Sequence, residues 1–154
     1  MKPIFTPLSP NARLLFNNNT GIDMLHADMS GWFCVTVLDH DLIAAVLACE
    51  PKTSFDWHFS AVILDPRAIT RKLLRVIFST LFSRAARITA LVEPGNDPAI
   101  RLMDRLGFTY EGFLRRGLDG RRDALLYGML PEDCPWIYAN PRLLKQVPPR
   151  AEMH

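Results

Sequence analysis

The chain has 154 residues, a formal net charge of +2, and 49% hydrophobic against 22% charged residues. That length suits one domain around one core, and the composition excludes a disordered or fibrous chain. A charge this close to zero gives no global pull toward nucleic acid, although Arg67, Arg71, Lys72 and Arg75 form one local basic cluster and Arg115, Arg116, Arg121 and Arg122 another.

The opening MKPIFTPLSP lacks the apolar stretch of a secretion signal. The longest apolar run, LIAAVLAC at 42–49, falls well short of the ~20 residues a membrane span needs. A soluble cytoplasmic protein without a membrane partner is expected. Cys34, Cys49 and Cys134 share no metal-ligand spacing, so they read as small buried hydrophobes in a reducing compartment, and neither a metal site nor a disulfide is expected.

Along the chain, NARLLF (11–16) reads as one or two helical turns, NNNTG (17–21) as a loop, and 22–29 as a second short helix. WFCVTVL (32–38) and LIAAVLAC (42–49) flank the short polar turn DHD, the pattern of an antiparallel hairpin. FDWHFSAVIL (55–64) is a third strand, apolar on both faces at its end and so central in a sheet. Over 66–85, Ile69, Leu73, Ile77 and Leu81 recur at helical spacing. Asp65 and Pro66 read as the cap and first position of that helix. RITALVE (87–93) is the next strand, and the helix between makes a βαβ unit with parallel strands. Asp97 and Pro98 start a helix that Gly107 stops, with Phe108 folding back over its last turn. FTYEGFLR (108–115) and DALLYGML (123–130) are strands joined through Asp119-Gly120. From Tyr138, Pro141, Pro148 and Pro149 interrupt any period, so 138–154 is expected to be an irregular tail after a 1–137 domain.

The stretch ITALVEPGNDPAIRLMDRLGFTYEGFLRRGLDGRRDALLYGML (88–130) resembles the GNAT superfamily of acyl-CoA-dependent N-acyltransferases. Asn96, Gly107-Phe108 and Glu111-Gly112 fall in the family's order. The run from Glu111 is similar to members related to the ribosomal-protein N-terminal acetyltransferases, and YGMLPEDCPWI (127–137) is similar to small members carried by tailed bacteriophages. The resemblance covers residues ~32 to 137 and is one of domain type. It implies an α/β (α+β) fold: a mixed, mostly antiparallel sheet with a central, splayed parallel strand pair and flanking helices.

The same resemblance implies acetyl-CoA as co-substrate. In the family a Q/R-x-x-G-x-G/A loop opens the long helix, and its backbone N–H groups and helix end hold the pyrophosphate. The matching letters are RAITRK (67–72): Arg67 keeps the first position, while Thr70 and Lys72 replace both small residues. A Thr70 hydroxyl and the charges of Arg67, Arg71 and Lys72 can offer charge-assisted bonds instead. The alternative is a plain helix cap followed by a solvated basic face. The implied cofactor-binding set is Val62, Ile63, Leu64, Arg67, Thr70, Arg71, Lys72 and Asn96.

Transfer of acetyl to an amine needs a base, an oxyanion donor and a route for the thiolate. Backbone N–H groups around Val62 to Leu64 are the implied oxyanion donors. Glu93 and His58 are the candidate bases, with Asp56 beside them. The family's usual tyrosine acid falls on Met103, so Cys34, Tyr110 or Tyr127 takes that role or the thiolate leaves unaided. Asp123 reads as an arginine-paired structural carboxylate. No Ser/His/Asp or Cys–His arrangement suggests a covalent intermediate. The expected function is acetyl transfer from acetyl-CoA to a primary amine, a protein N-terminus or a lysine, by direct attack. The alternative is a GNAT-like module that has lost catalysis and serves as a binding or virion-associated protein. Nucleic acid is not an expected partner, and a homodimer is left open.

Overall fold

A computed structural model describes residues 1–137; the expected tail at 138–154 lies outside the described residues. The elements in chain order are β1 (Lys2–Ile4), α1 (Pro10–Thr20), β2 (Phe33–Asp39), β3 (Leu42–Pro51), β4 (Asp56–Ile63), α2 (Arg71–Phe82), β5 (Arg87–Val92), α3 (Asp97–Leu106), β6 (Thr109–Leu114) and β7 (Ala124–Met129), with 3₁₀ turns at Pro66–Ala68 and Pro131–Asp133. They form one sheet in the order β1-β2-β3-β4-β5-β7-β6. Every neighbouring pair is antiparallel except β4–β5, the pair that the βαβ reading made parallel.

Each face of the sheet has its own core. Leu73, Leu74, Ile77, Phe78 and Leu81 of α2 and Met103 and Leu106 of α3 pack on one face against Trp57, Phe59, Ile88, Ala90 and Met129. Phe59, Phe78 and Phe108 meet there with ring centroids 5.9 to 6.3 Å apart. On the other face Ala12 and Phe16 of α1 pack with Met24, Met29, Cys34, Val46, Ala48 and Val62. β4 is therefore covered on both sides, which is why its sequence loses strict alternation toward its end.

Four expectations are corrected, and one strand is added. Asn17–Thr20 belong to α1: Ser9 caps it through Ala12 N–H at 3.2 Å, and Gly21, at φ 71°, ends it. Thr20 and Asn19 return their side chains to the Phe16 and Leu15 carbonyls, at 2.8 Å each, so polar residues close the helix from inside. No helix forms over 22–29, where the Asp23 and Asp28 carboxylates accept from the N–H groups of Leu25, His26 and Ser30, holding turns that compete with helix. β1 was not anticipated; three residues paired with Thr36–Leu38 are too short to leave a period. Asp65 and Pro66 open only the 3₁₀ turn, and α2 starts afresh from Thr70, whose Oγ1 accepts from Leu73 N–H at 3.1 Å. Asn96, not Asp97, caps α3.

Gly107 ends α3 as expected. It sits at φ 97°, and a Cβ there would lie 2.8 Å from Pro135 Cδ, so both the turn and the packing exclude a side chain. Among the described residues no helix is long and apolar enough to cross a membrane, and no group of three or more His, Cys, Asp or Glu is placed to hold a metal.

Candidate functional site

β4 and β5 pair only at their beginnings. The ladder runs Asp56↔Arg87, Trp57↔Ile88 and His58↔Thr89 and then stops, although both strands continue. Beyond it the strands part, and the gap is the wall of a cleft of about 560 Å³. Phe59 to Ile63 and Ala90 to Glu93 line it along the strands. Asn19, Thr20, Leu118 and Arg122 line it from the α1 side, and Ile69, Asn96, Ala99, Met103 and Arg105 from the α2–α3 side. The cleft thus opens through the sheet, with an approach from each face.

Backbone parity decides which groups face it. Leu64 N–H is bonded to the Ala44 carbonyl of β3 at 2.9 Å. In an antiparallel ladder alternate residues point their N–H and C=O to the same neighbour, so with Val46↔Val62 and Ala48↔Ser60 in register, Leu64, Val62 and Ser60 all serve β3. Ala61 and Ile63 therefore turn their N–H and C=O toward the gap, and by the same alternation Leu91 faces them from β5. Of the expected stretch Val62 to Leu64, only Ile63 turns its N–H toward the gap; Val62 and Leu64 are bonded to β3, Leu64 lies outside the cleft lining, and Ala61 also faces the gap.

None of Arg67, Thr70, Arg71 and Lys72 lines the cleft, although Pro66 and Ile69 of the same stretch do. Thr70, Arg71 and Lys72 are exposed. The Arg71 and Lys72 N–H groups occupy the first two helical positions, where no intrahelical acceptor exists, and they carry the positive end of α2. Thr70 Oγ1 is occupied as the cap acceptor but keeps its hydrogen to give. Arg67 is turned away: its guanidinium bonds Asp65 at 2.7 to 3.1 Å, and the same contact holds the Asp65 carboxyl below its ordinary range. Arg71 lies over the Trp136 ring, 5.8 Å from its centroid. Asn96 lines the cleft and caps α3 through Oδ1, at 3.4 Å from Ala99 N–H, which leaves its amide N–H₂ free to donate.

The two candidate bases are differently placed. Glu93 lines the cleft, but its carboxylate accepts from Arg122 Nη1 at 3.0 Å. Arg122 also bonds Asp119 at 2.9 Å and the Thr20 carbonyl at 2.9 Å, so Glu93 is part of the tie that binds β5 to the end of α1. His58 occupies the last paired rung and does not itself line the cleft; the residues after it, Phe59 and Ser60, do. Its Nε2 lies 3.5 Å from Asp56 Oδ2. Burial pushes the imidazole below its ordinary value of 6.5, against the pull of the Asp56 carboxylate, so it is neutral near pH 7 and able to take a proton.

None of the three groups considered as acid reaches the cleft. Cys34 is buried two strands away, Tyr127 is buried on the α2–α3 face against Tyr110, and neither tyrosine lines the cleft. Met103 does line it and is buried. Asp123 accepts from the Arg116 backbone N–H at 2.9 Å, a structural role through the main chain instead of an arginine side chain. Sequence reasoning missed Ser60, Arg101, Arg105 and Arg122. The spacing of Arg101 and Arg105 on one helix face was legible, but the reach of Arg122 to Thr20, 102 positions away, was not.

Searches of protein-family models and of curated proteins returned no match. Solved structures do match. Smu.2055 from Streptococcus mutans superposes with a TM-score of 0.65 at 20% identity, over 84% of this chain and 99% of that one. The spermidine/spermine N-acetyltransferase SpeG from Vibrio cholerae gives 0.60 at 16% identity, over 85% and 96%. Mycobacterium smegmatis RimJ, solved in complex with CoA-disulfide, gives 0.55 at 23% identity, over 68% and 55%. Identities this low carry the architecture and not the chemistry. The chain has the fold of the GNAT N-acetyltransferases, with the parted parallel strands in place.

Proposed function

We propose that this protein is an N-acetyltransferase that moves acetyl from acetyl-CoA to a primary amine by direct attack. The observation that carries the reading is the gap beyond His58↔Thr89, where Ala61, Ile63 and Leu91 present unpaired backbone groups. Buried peptide groups rarely stay unpaired, and an extended amide-bearing arm laid between the strands satisfies them. Its diphosphate then reaches the Arg71 and Lys72 N–H groups and side chains, with the Asn96 amide alongside the arm. Free N–H groups and basic side chains at a helix start fit a phosphate; the absence of glycine there makes the fit rest more on side-chain charge.

The acceptor enters from the α1 side. His58, one residue outside the cleft lining, takes a proton from the ammonium through a water, the freed nitrogen attacks the thioester carbonyl, and the C–S bond breaks. Backbone N–H from the Ala61–Ile63 wall meets the developing oxyanion. No cleft-lining group stands ready as acid in the position of Met103, so the thiolate leaves as such, and the proton that the new amide nitrogen sheds reaches it through solvent. Among the cleft-lining residues the sole carboxylate is Glu93, and it is paired with Arg122. A polycation such as spermidine therefore finds no free anion there, which favours a protein N-terminus or a lysine side chain as acceptor.

Calorimetry with acetyl-CoA and CoA release with a peptide N-terminus, a lysine peptide and spermidine test this. Binding with release on a peptide is expected. The glycine-less loop and Met103 favour a second reading, a GNAT-like binding module without catalysis. Binding without release supports that one, and no binding at millimolar acetyl-CoA removes the first.

A further inference from the structure

Glu111 and Gly112 lie in the middle of β6, and nothing in the acetyl-transfer reading uses them. In the β6–β7 ladder Tyr110 pairs with Tyr127 and Gly112 with Leu126, so Glu111 is an extra residue, a β-bulge. A bulge re-aims the side chain it carries. The Glu111 carboxylate crosses β7 and bonds Arg87 Nη2 on β5 at 2.6 Å. It passes over Gly128, and a Cβ at that position would collide with the Glu111 carboxylate and the Arg87 guanidinium. The contact does not end there. Arg87 Nε donates to Thr89 Oγ1 at 3.1 Å, and the Thr89 hydroxyl donates to Asp56 Oδ1 at 2.7 Å. Arg87 Nε is also 3.7 Å from Asp56 Oδ1, and Asp56 Oδ2 is the atom facing His58. Thr89 is the one polar residue among the described residues that is buried, and a buried hydroxyl is retained at a cost unless its bonds matter.

We propose that Glu111, Arg87 and Thr89 are positioning residues: they form a chain across β6, β7, β5 and β4 that holds the Asp56 carboxylate against His58, with Gly128 as the slot that lets it cross. The inference rests on the reading of His58, on the last rung before the cleft, as the base acting through a water. It assigns a role to the bulge and to the glycine opposite it, which otherwise have none. The carboxylate of Asp56 is shared between two cations or potential cations, Arg87 and His58, and Glu111 sets how strongly Arg87 competes. The other charged groups facing His58 are Glu50, its partner on β3, and Lys52, just past the end of that strand; Lys52 meets Asp56 through its backbone N–H, which donates to the Asp56 carbonyl at 3.0 Å.

The competition predicts opposite effects from two neutralising changes. In Glu111→Gln, Arg87 loses its outer partner and turns wholly to Asp56, drawing the carboxylate from His58. The acidic limb of the kcat/KM profile then moves to lower pH. In Arg87→Met, Asp56 is left to His58 alone, and the limb moves to higher pH. Thr89→Val lowers kcat with KM for acetyl-CoA unchanged, and Thr89→Ser, which keeps the hydroxyl, restores it. The imidazole of His58 is followed in parallel by NMR titration of the full chain without substrate, its signal identified by loss in His58→Gln. Opposite shifts in Glu111→Gln and Arg87→Met support the chain. Unmoved titrations, or shifts in the same direction, overturn it. Opposite NMR shifts in a protein that transfers no acetyl to any amine leave the chain standing and remove the acetyl-transfer reading.

Discussion

Replacing Ala61 with proline removes one backbone N–H that the sheet does not use. If Ala61 faces the gap, its N–H has no strand partner, and proline sits there as it does on an edge strand. Replacing Val62 instead removes an N–H that serves β3 and leaves the Val46 carbonyl alone. A lost bond of about 0.5–1.5 kcal/mol plus an orphaned buried carbonyl of about 1–3 kcal/mol makes the second change worse by about 1.5–4.5 kcal/mol. For a chain of this size each kcal/mol moves Tm by roughly 2–4 °C, so Val62→Pro should melt at least about 3 °C below Ala61→Pro. The ligand arm of the test runs the other way. Acetyl-CoA at a hundredfold excess over Kd stabilises by about 2.7 kcal/mol, a rise of roughly 5–11 °C in the wild type. Ala61→Pro should lose most of that rise because its donor is gone and its ring occupies the gap. Differential scanning fluorimetry with and without ligand reads both arms. Equal melting of the two variants, or a full ligand shift in Ala61→Pro, refutes the parity argument and with it the mode of binding.

Other outcomes follow from the same geometry. Asp65→Asn frees Arg67 from its carboxylate, so acetyl-CoA should bind several-fold more tightly at low salt by calorimetry, and the gain should shrink as salt screens the charge. Because His58 is held below its ordinary 6.5, the unfolded chain binds its proton first as pH falls. Its contribution to stability is present above pH 6.5 and is lost as pH drops from there through the folded-state value, and His58→Gln should flatten the urea-denaturation profile over that window. Cys34, Cys49 and Cys134 are all buried. Burial pushes Cys134 up to about 11 and Cys49 higher still, so a thiol reagent at pH 8 should label the protein only after unfolding. Gly128→Ala should cost about 1–3 kcal/mol by overpacking, measured by chemical denaturation. Adding Glu111→Ala should recover part of it, since the carboxylate that the new Cβ strikes is gone.

Much of this was readable from letters alone. The apolar stripe of α2, the loss of alternation in β4 and the Gly107 stop each follow from a period or a backbone preference, and these are local properties. The order of those elements made β4 and β5 parallel through the handedness of the connection. Helix starts were read less well, because Asp65 and Thr70, or Asn96 and Asp97, are equally good caps on paper and only the packed course of the chain selects one. The polar end of α1 was misread for a related reason: Asn17 to Thr20 look like a loop until Phe16 is buried beneath them. The splaying of the parallel pair was implied by the family resemblance and by no period in the sequence; tertiary structure alone decided that the ladder ends at His58↔Thr89, that Ala61 and not Val62 faces the opening, and that Glu111 crosses Gly128 to reach Arg87. Each of these depends on the register between strands far apart in sequence, and register is settled by how side chains pack on two faces at once, which no single segment encodes.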